Sequence, residues 1–202
     1  MHLILPDVNV PTRVVCGPPG ELSDDEFFDF CMANSDLRIE RNTKGEVIIV
    51  PPAGGESDHR SLDLGAQLLS WSRREKSGTA FGATVCFLLP DRSGLTPDAA
   101  WVSSSKMASL PKLTRRRFLP LVPDFVAEVM SPSDRLNDAR EKMEQWIANG
   151  VGVAWLIDAD NETVFAYRPG QPVTEHKAVE RLEGEGPLRG FVADFEDIWE
   201  RL

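Results

Sequence analysis

A mixed α/β sheet in a single domain is the fold class this sequence predicts, and three observations point there. Short apolar runs bounded by turn residues alternate with helical patterns through the middle of the chain. Paired strand-like runs that flank tight turns, the mark of hairpins, occur towards both ends. The length of 202 residues is enough for one full hydrophobic core, and 42% hydrophobic with 27% charged residues is an ordinary globular composition. The expected domain spans residues 1–202, with 1–22 as an extended N-terminal arm.

The arm follows from Pro6, Pro11, Pro18 and Pro19. Ser23 then opens a helix that runs to about Met32. Glu26 stands three residues on, so the two can form a capping box. Residues 37–40 and 46–50 are strand-like and flank the turn Asn42-Thr43-Lys44-Gly45, which predicts a hairpin. After the breaker Pro51-Pro52-Ala53-Gly54-Gly55, a long helix is expected over 57–76. Its apolar residues Leu62, Leu64, Gly65, Ala66, Leu68, Leu69 and Trp71 go most of the way round, so it should be largely buried. Strands are expected at 79–81 and 84–89, a turn at 90–94, and another strand at 96–102. Residues 106–117 form a short helical and irregular excursion rich in Lys and Arg. A strand at 124–130 leads to an amphipathic helix at 136–149, closed by Gly150. Strands at 151–157 and 163–167 flank the turn Asp158-Ala159-Asp160-Asn161, and a strand or two with a short helix near 195–199 complete the chain.

Composition narrows the function classes. No apolar run approaches the ~18–20 residues that span a membrane, and the start MHLILPDVNVP lacks the basic and long apolar regions of a secretory signal. Cys16, Cys31 and Cys86 are odd in number and form neither a zinc spacing nor a disulfide framework. Free structural thiols suit a reducing cytoplasm, the expected location. A formal net charge of -10 argues against broad, charge-driven nucleic-acid binding, although it leaves room for a local basic patch and suits carboxylates gathered round a metal ion. The basic run Arg115, Arg116 and Arg117, with Arg73, Arg74 and Lys76, is the best candidate for phosphate contact; a solvated charged face is the alternative. His59 reads as a capping or solvent-facing residue, and the five tryptophans mostly as core.

The residue that stands out is Glu128. It interrupts the apolar run Phe125, Val126, Ala127, Val129, Met130, and an isolated carboxylate in such a strand costs several kcal/mol unless it is paired. Asp98, in Pro97-Asp98 at the head of a strand, is a second carboxylate, and the two could give oxygen ligands to a hard divalent cation. Wound at about 100° per residue, the helix at 136–149 places Leu136, Ala139, Met143, Trp146 and Ile147 on one stripe with Lys142 at its edge. From there the Lys142 ammonium could reach over the sheet to Glu128, and a lysine so placed can orient or deprotonate an attacking water. A surface pair of Lys142 with Asp138, a turn-forming role for Asp98 and a buried Glu–Arg pair are the structural alternatives.

The ordered set PDAAWV (97–102), FLPLVPDFVAEVMSPSD (118–134), KMEQWIANGV (142–151), AWLID (154–158) and VFAYRPGQPV (164–173) resembles the Uma family of restriction endonucleases, within the PD-(D/E)XK nuclease superfamily. RIERNTKGEVIIVPPAGGESDHR (38–60) is similar to the family's N-terminal hairpin and helix start. The resemblance covers most of the chain, from about Leu37 to Trp199. It implies a restriction-endonuclease-like core, with a mixed central β-sheet flanked by helices behind an N-terminal helix and hairpin. It implies that Asp98 and Glu128 bind Mg2+, which Mn2+ can replace. The superfamily lysine falls at position 130, where this chain has Met130; the family's lysine on the following helix matches Lys142 instead. Glu56 or Glu40 could add an outer ligand. The implied activity is metal-dependent hydrolysis of DNA phosphodiester bonds, in a homodimer because two strands call for two active sites. A nuclease fold that has lost catalysis and binds nucleic acid or protein is the alternative. A glycosidase using the paired carboxylates is a third, which would need a sugar groove and no lysine or metal.

Overall fold

The computed structural model of the chain describes residues 12–14 and 22–200. In chain order the elements are β1 (Thr12–Val14), α1 (Asp24–Ala33), β2 (Arg38–Arg41), β3 (Val47–Val50), α2 (Gly55–Glu75), β4 (Gly78–Gly82), β5 (Phe87–Leu88), β6 (Gly94–Leu95), β7 (Ala99–Ser103) and α3 (Ser104–Ser109). There follow β8 (Phe125–Val129), α4 (Leu136–Ala148), β9 (Val153–Asp158), β10 (Thr163–Tyr167), β11 (Thr174–Lys177), β12 (Arg181–Glu183), β13 (Val192–Asp194) and α5 (Glu196–Trp199). Of the expected N-terminal arm, 12–14 form β1; residues 1–11 and 15–21, with Cys16, lie outside the described residues. No helix among the described residues is long and apolar enough to cross a membrane.

The chain divides into two compact units. The first comprises Met1–Pro52, Val85–Thr96 and Pro111–Leu121, and the second Ala53–Thr84, Pro97–Leu110 and Val122–Leu202.

The first unit holds a five-stranded sheet in the order β1-β3-β2-β6-β5. The hairpin β2–β3 pairs Arg38 with Val50 through to Arg41 with Val47. Its turn is closed by Asn42, whose Oδ1 accepts from the N–H groups of Lys44 and Glu46 at 3.0 Å each. α1 begins at the expected capping box. Ser23 Oγ accepts from Glu26 N–H at 3.3 Å, and the Glu26 carboxylate accepts from Ser23 N–H at 2.8 Å. Phe27, Phe30 and Cys31 on this helix pack on Ile39, Val47, Ile49 and Cys86. The strand expected at 84–89 shrinks to β5, a short β6 forms where the turn at 90–94 was expected to end, and the strand expected from 96 begins only at Ala99, as β7. Pro97 stands between β6 and β7, where it has no N–H to donate to a ladder.

The second unit holds the central six-stranded sheet, ordered β11-β10-β9-β8-β7-β4. It is mixed: β8 and β9 run parallel and the other neighbours antiparallel. A parallel pair needs a crossover, and α4 supplies it. On one face, α2 places Leu64, Leu68 and Trp71 against Ala99, Trp101, Phe125, Ala127 and Val129. The expectation that this helix is largely buried is corrected. It lies on one face of the sheet, so only one stripe is covered, while Leu62 is 67% exposed and Leu69 also faces outward. On the opposite face lies α4, with Met143 and Trp146 fully buried.

Candidate active site

β8 is buried along its whole length, and Glu128 is its charged residue. Successive strand residues alternate faces. Phe125, Ala127 and Val129 point into the core under α2, so Glu128 points to the α4 face. On β7, Ala99 and Trp101 belong to that same core, so the alternation carried back one residue puts Asp98 on the face of Glu128. Ala99 stands opposite Ala127, which brings Asp98 and Glu128 to the same end of two adjacent strands. Asp98 is tied to β8 twice. Its N–H donates to the Ala127 carbonyl at 3.0 Å, and its Oδ2 accepts from Val129 N–H at 2.8 Å.

α4 brings partners to the Glu128 carboxyl group, in a strand where only 9% of the residue's surface is exposed. Lys142 stands at the margin of the buried stripe, its side chain 24% exposed, with Nζ 3.0 Å from Glu128 Oε1. Trp146, one turn further on, donates its Nε1–H to the same oxygen at 2.9 Å. A charged and a neutral donor together offset the cost of taking a carboxylate out of water. Position 130 holds a half-buried Met130, whose N–H continues the ladder to the Ile157 carbonyl at 2.9 Å. The ammonium beside Glu128 therefore comes from the helix rather than from the strand.

The remaining candidate residues are placed as follows. Glu40 is buried in the first unit and accepts from Thr96 N–H at 3.0 Å. Glu56, in the first turn of α2, pairs with Arg60 at 3.8 Å. Among the described residues, no group of three or more His, Cys, Asp and Glu is arranged to hold a metal ion. Two carboxylates still suit Mg2+, which keeps several waters and is commonly held by one or two carboxylates together with substrate phosphates. They do not suit a cation that needs an all-protein cage. His59 is exposed. Arg115 and Arg116 are exposed on a single 3-10 turn. Arg117 is engaged by Asp25 at 3.1 Å and Asp29 at 3.5 Å, with its guanidinium 4.1 Å from the centre of the Phe28 ring.

Two residues escape the sequence reading. Trp146 was legible as core, and its spacing of four from Lys142 is the signal that both reach the same carboxylate. Arg60 is 2% exposed, and its Nε and Nη2 have no hydrogen-bond partner. Its spacing from Leu64, Leu68 and Trp71 puts it on the buried stripe, which its charge conceals.

With this geometry in hand, comparison with known proteins is informative. The model of a family described as "Uma2: Putative restriction endonuclease" matches residues 24–196. Among solved structures, the chain is similar to a protein from Anabaena variabilis ATCC 29413 described as "a putative nuclease belonging to DUF820". The TM-score is 0.73 at 19% identity, over 88% of this chain and 97% of the other. At that identity the likeness establishes the fold, a mixed sheet flanked by helices. No curated protein matches.

Proposed function

Since the chain belongs to the Uma2 family of restriction endonucleases, we propose that it is a metal-dependent endonuclease hydrolysing phosphodiester bonds in DNA, with Asp98, Glu128 and Lys142 as its acting residues. The observation that carries this reading is the buried Glu128 on the same sheet face as Asp98, with the Lys142 ammonium 3.0 Å from its Oε1. Asp98 and Glu128 are the residues to hold Mg2+, or Mn2+ in its place. Such an ion would polarise a phosphoryl oxygen and lower the pKa of a bound water.

The chain's own groups have separable tasks. The Val129 N–H holds Asp98 Oδ2 in place, so that carboxylate is oriented before any ligand arrives. The Lys142 ammonium, on its flexible stem, orients the attacking water and stabilises the negative charge that grows on the phosphoryl oxygens. Arg115 and Arg116, exposed and cationic, are candidates to contact phosphates. Arg117 is the weaker candidate, since Asp25 and Asp29 already balance its charge.

A second reading has one observation in its favour: Met130 occupies the position of the superfamily lysine. On that reading the fold binds nucleic acid or a protein without cutting. Plasmid DNA separates the two. Cleavage that requires Mg2+, stops with a chelator and is lost together with Mn2+ binding in Asp98→Ala supports the endonuclease. Retention of DNA without cleavage at any Mg2+ concentration supports the binding protein.

A further inference from the structure

Trp146 has no part of its own in phosphodiester hydrolysis, yet it is bonded to the centre of the site. The side chain is fully buried, and its Nε1–H reaches Glu128 Oε1 at 2.9 Å. An indole is a donor only, and a buried one usually finds an acceptor. Elsewhere in the second unit the acceptors are neutral, Ser72 Oγ for Trp101 and the Val179 carbonyl for Trp199, while the buried Trp71 Nε1–H has no hydrogen-bond partner among the described residues. Trp146 spends its N–H on a carboxylate.

The two donors at Glu128 Oε1 differ in what they can fix. Lys142 ends a flexible four-carbon stem and acts as a point charge, so it attracts the carboxylate without defining its rotation. Trp146 is a rigid plane wedged in the core, with only two side-chain torsions, and packing holds both. Its N–H therefore sets a direction. Carboxylates that bind metals are themselves oriented by hydrogen bonds, and losing such a bond typically costs about 10–100-fold in metal affinity or activity. Bulk alone does not explain a tryptophan here, because a phenyl ring could fill much of the same space without a polar atom that must be satisfied.

We propose that Trp146 is a positioning residue: its indole N–H fixes the rotation of the Glu128 carboxylate and thereby sets how tightly Asp98 and Glu128 hold a divalent cation. This rests on the metal-dependent reading of the site. Trp146→Phe keeps an aromatic ring in the core and removes the donor. With Mn2+ as the probe and no DNA present, calorimetry on the full chain should show a dissociation constant raised by about 10–100-fold over wild type. At saturating Mn2+, kcat for plasmid cleavage should fall while KM for DNA stays the same, a split that a general loss of packing would not produce. In the wild-type protein, the Trp146 indole proton should exchange slowly and its resonance should shift on addition of Mg2+. Trp146→Phe that folds and binds Mn2+ as tightly as wild type overturns the proposal and leaves the nuclease reading standing. If the variant does not fold, the wild-type resonance decides, and a signal indifferent to Mg2+ overturns it. Wild-type protein that binds no Mn2+ and cuts no DNA overturns both.

Discussion

At the scale of the residue, the chain keeps one carboxylate where an apolar side chain would cost less. Glu128 stays because Lys142 and Trp146 both meet its Oε1. Lys142→Ala should therefore have two effects. The rate of plasmid cleavage should fall by about 100-fold or more, the scale of a lost acid–base or charge-stabilising group. Stability should also drop by about 1–3 kcal/mol, because the carboxylate loses its charged partner while remaining in a dry strand. Mn2+ affinity should hold or rise, since the ammonium competes with the cation for the same oxygen. Cleavage rates, urea midpoints and calorimetric Mn2+ titrations on one preparation would test this. An unchanged cleavage rate would reduce Lys142 to a structural counter-ion. The buried thiols give a second residue-scale expectation. Desolvation pushes Cys31 up to about 12 and Cys86 higher still, and the thiolate is the reactive form. Neither should react with a disulfide reagent at pH 8, and both should do so once the chain is unfolded. Fast labelling of Cys31 or Cys86 in native protein, located by peptide mapping, would contradict the burial.

At the scale of the element, β8-α4-β9 brings Glu128, Lys142 and Trp146 together, and Asp98 joins them from the residue before β7. The crossover returns α4 onto the sheet, and its period of 3.6 puts Lys142 and Trp146 one turn apart over the same strand residue. The other face of the sheet depends on close approach at β4. A Cβ added at Gly78 would overlap the Trp101 ring and the Val102 carbonyl. β4 is paired with β7 along its length, so the backbone has little room to yield. Gly78→Ala should cost about 1–3 kcal/mol, the usual range for overpacking, and a thermal melt would register it. The same substitution at Gly65, where a Cβ meets nothing within 4 Å, should stabilise by a fraction of a kcal/mol, as Ala is the better helix former. Equal effects at the two positions would show that helix and strand propensity, not the Trp101 contact, governs Gly78.

At the scale of the whole molecule, charge and stoichiometry set the expectations. On the endonuclease reading, a chain carrying -10 would meet DNA through local cations, so affinity should weaken steeply with salt if exposed arginines such as Arg115 and Arg116 make phosphate contacts. Cutting both strands of a duplex calls for two active centres, which argues for a homodimer. Light scattering at micromolar concentration should give twice the chain mass of 22.4 kDa; a monomer would require sequential nicking, visible as accumulation of open-circular plasmid.

Much of this was settled by residue order alone. The capping box at Ser23, the hairpin turn at Asn42, the buried strand around Glu128 and the Lys142 edge of α4 are local patterns, each decided by residues within a turn or two of one another. The anomaly of a carboxylate in an apolar run, and the ordered blocks that point to a nuclease family, are likewise properties of the string. Tertiary structure decided what depends on partners far away in the chain. β2 pairs with β6 across more than fifty residues, so the N-terminal hairpin builds a second sheet rather than extending the central one. Only one stripe of α2 is covered, which leaves Leu62 outside and draws Arg60 in. The indole of Trp146 finds Glu128 only once α4 lies on β8. Spacing fixes which face of an element a residue occupies, but what that face meets is chosen by the packing of the assembled elements, where burial of apolar area outweighs the preference of any single side chain.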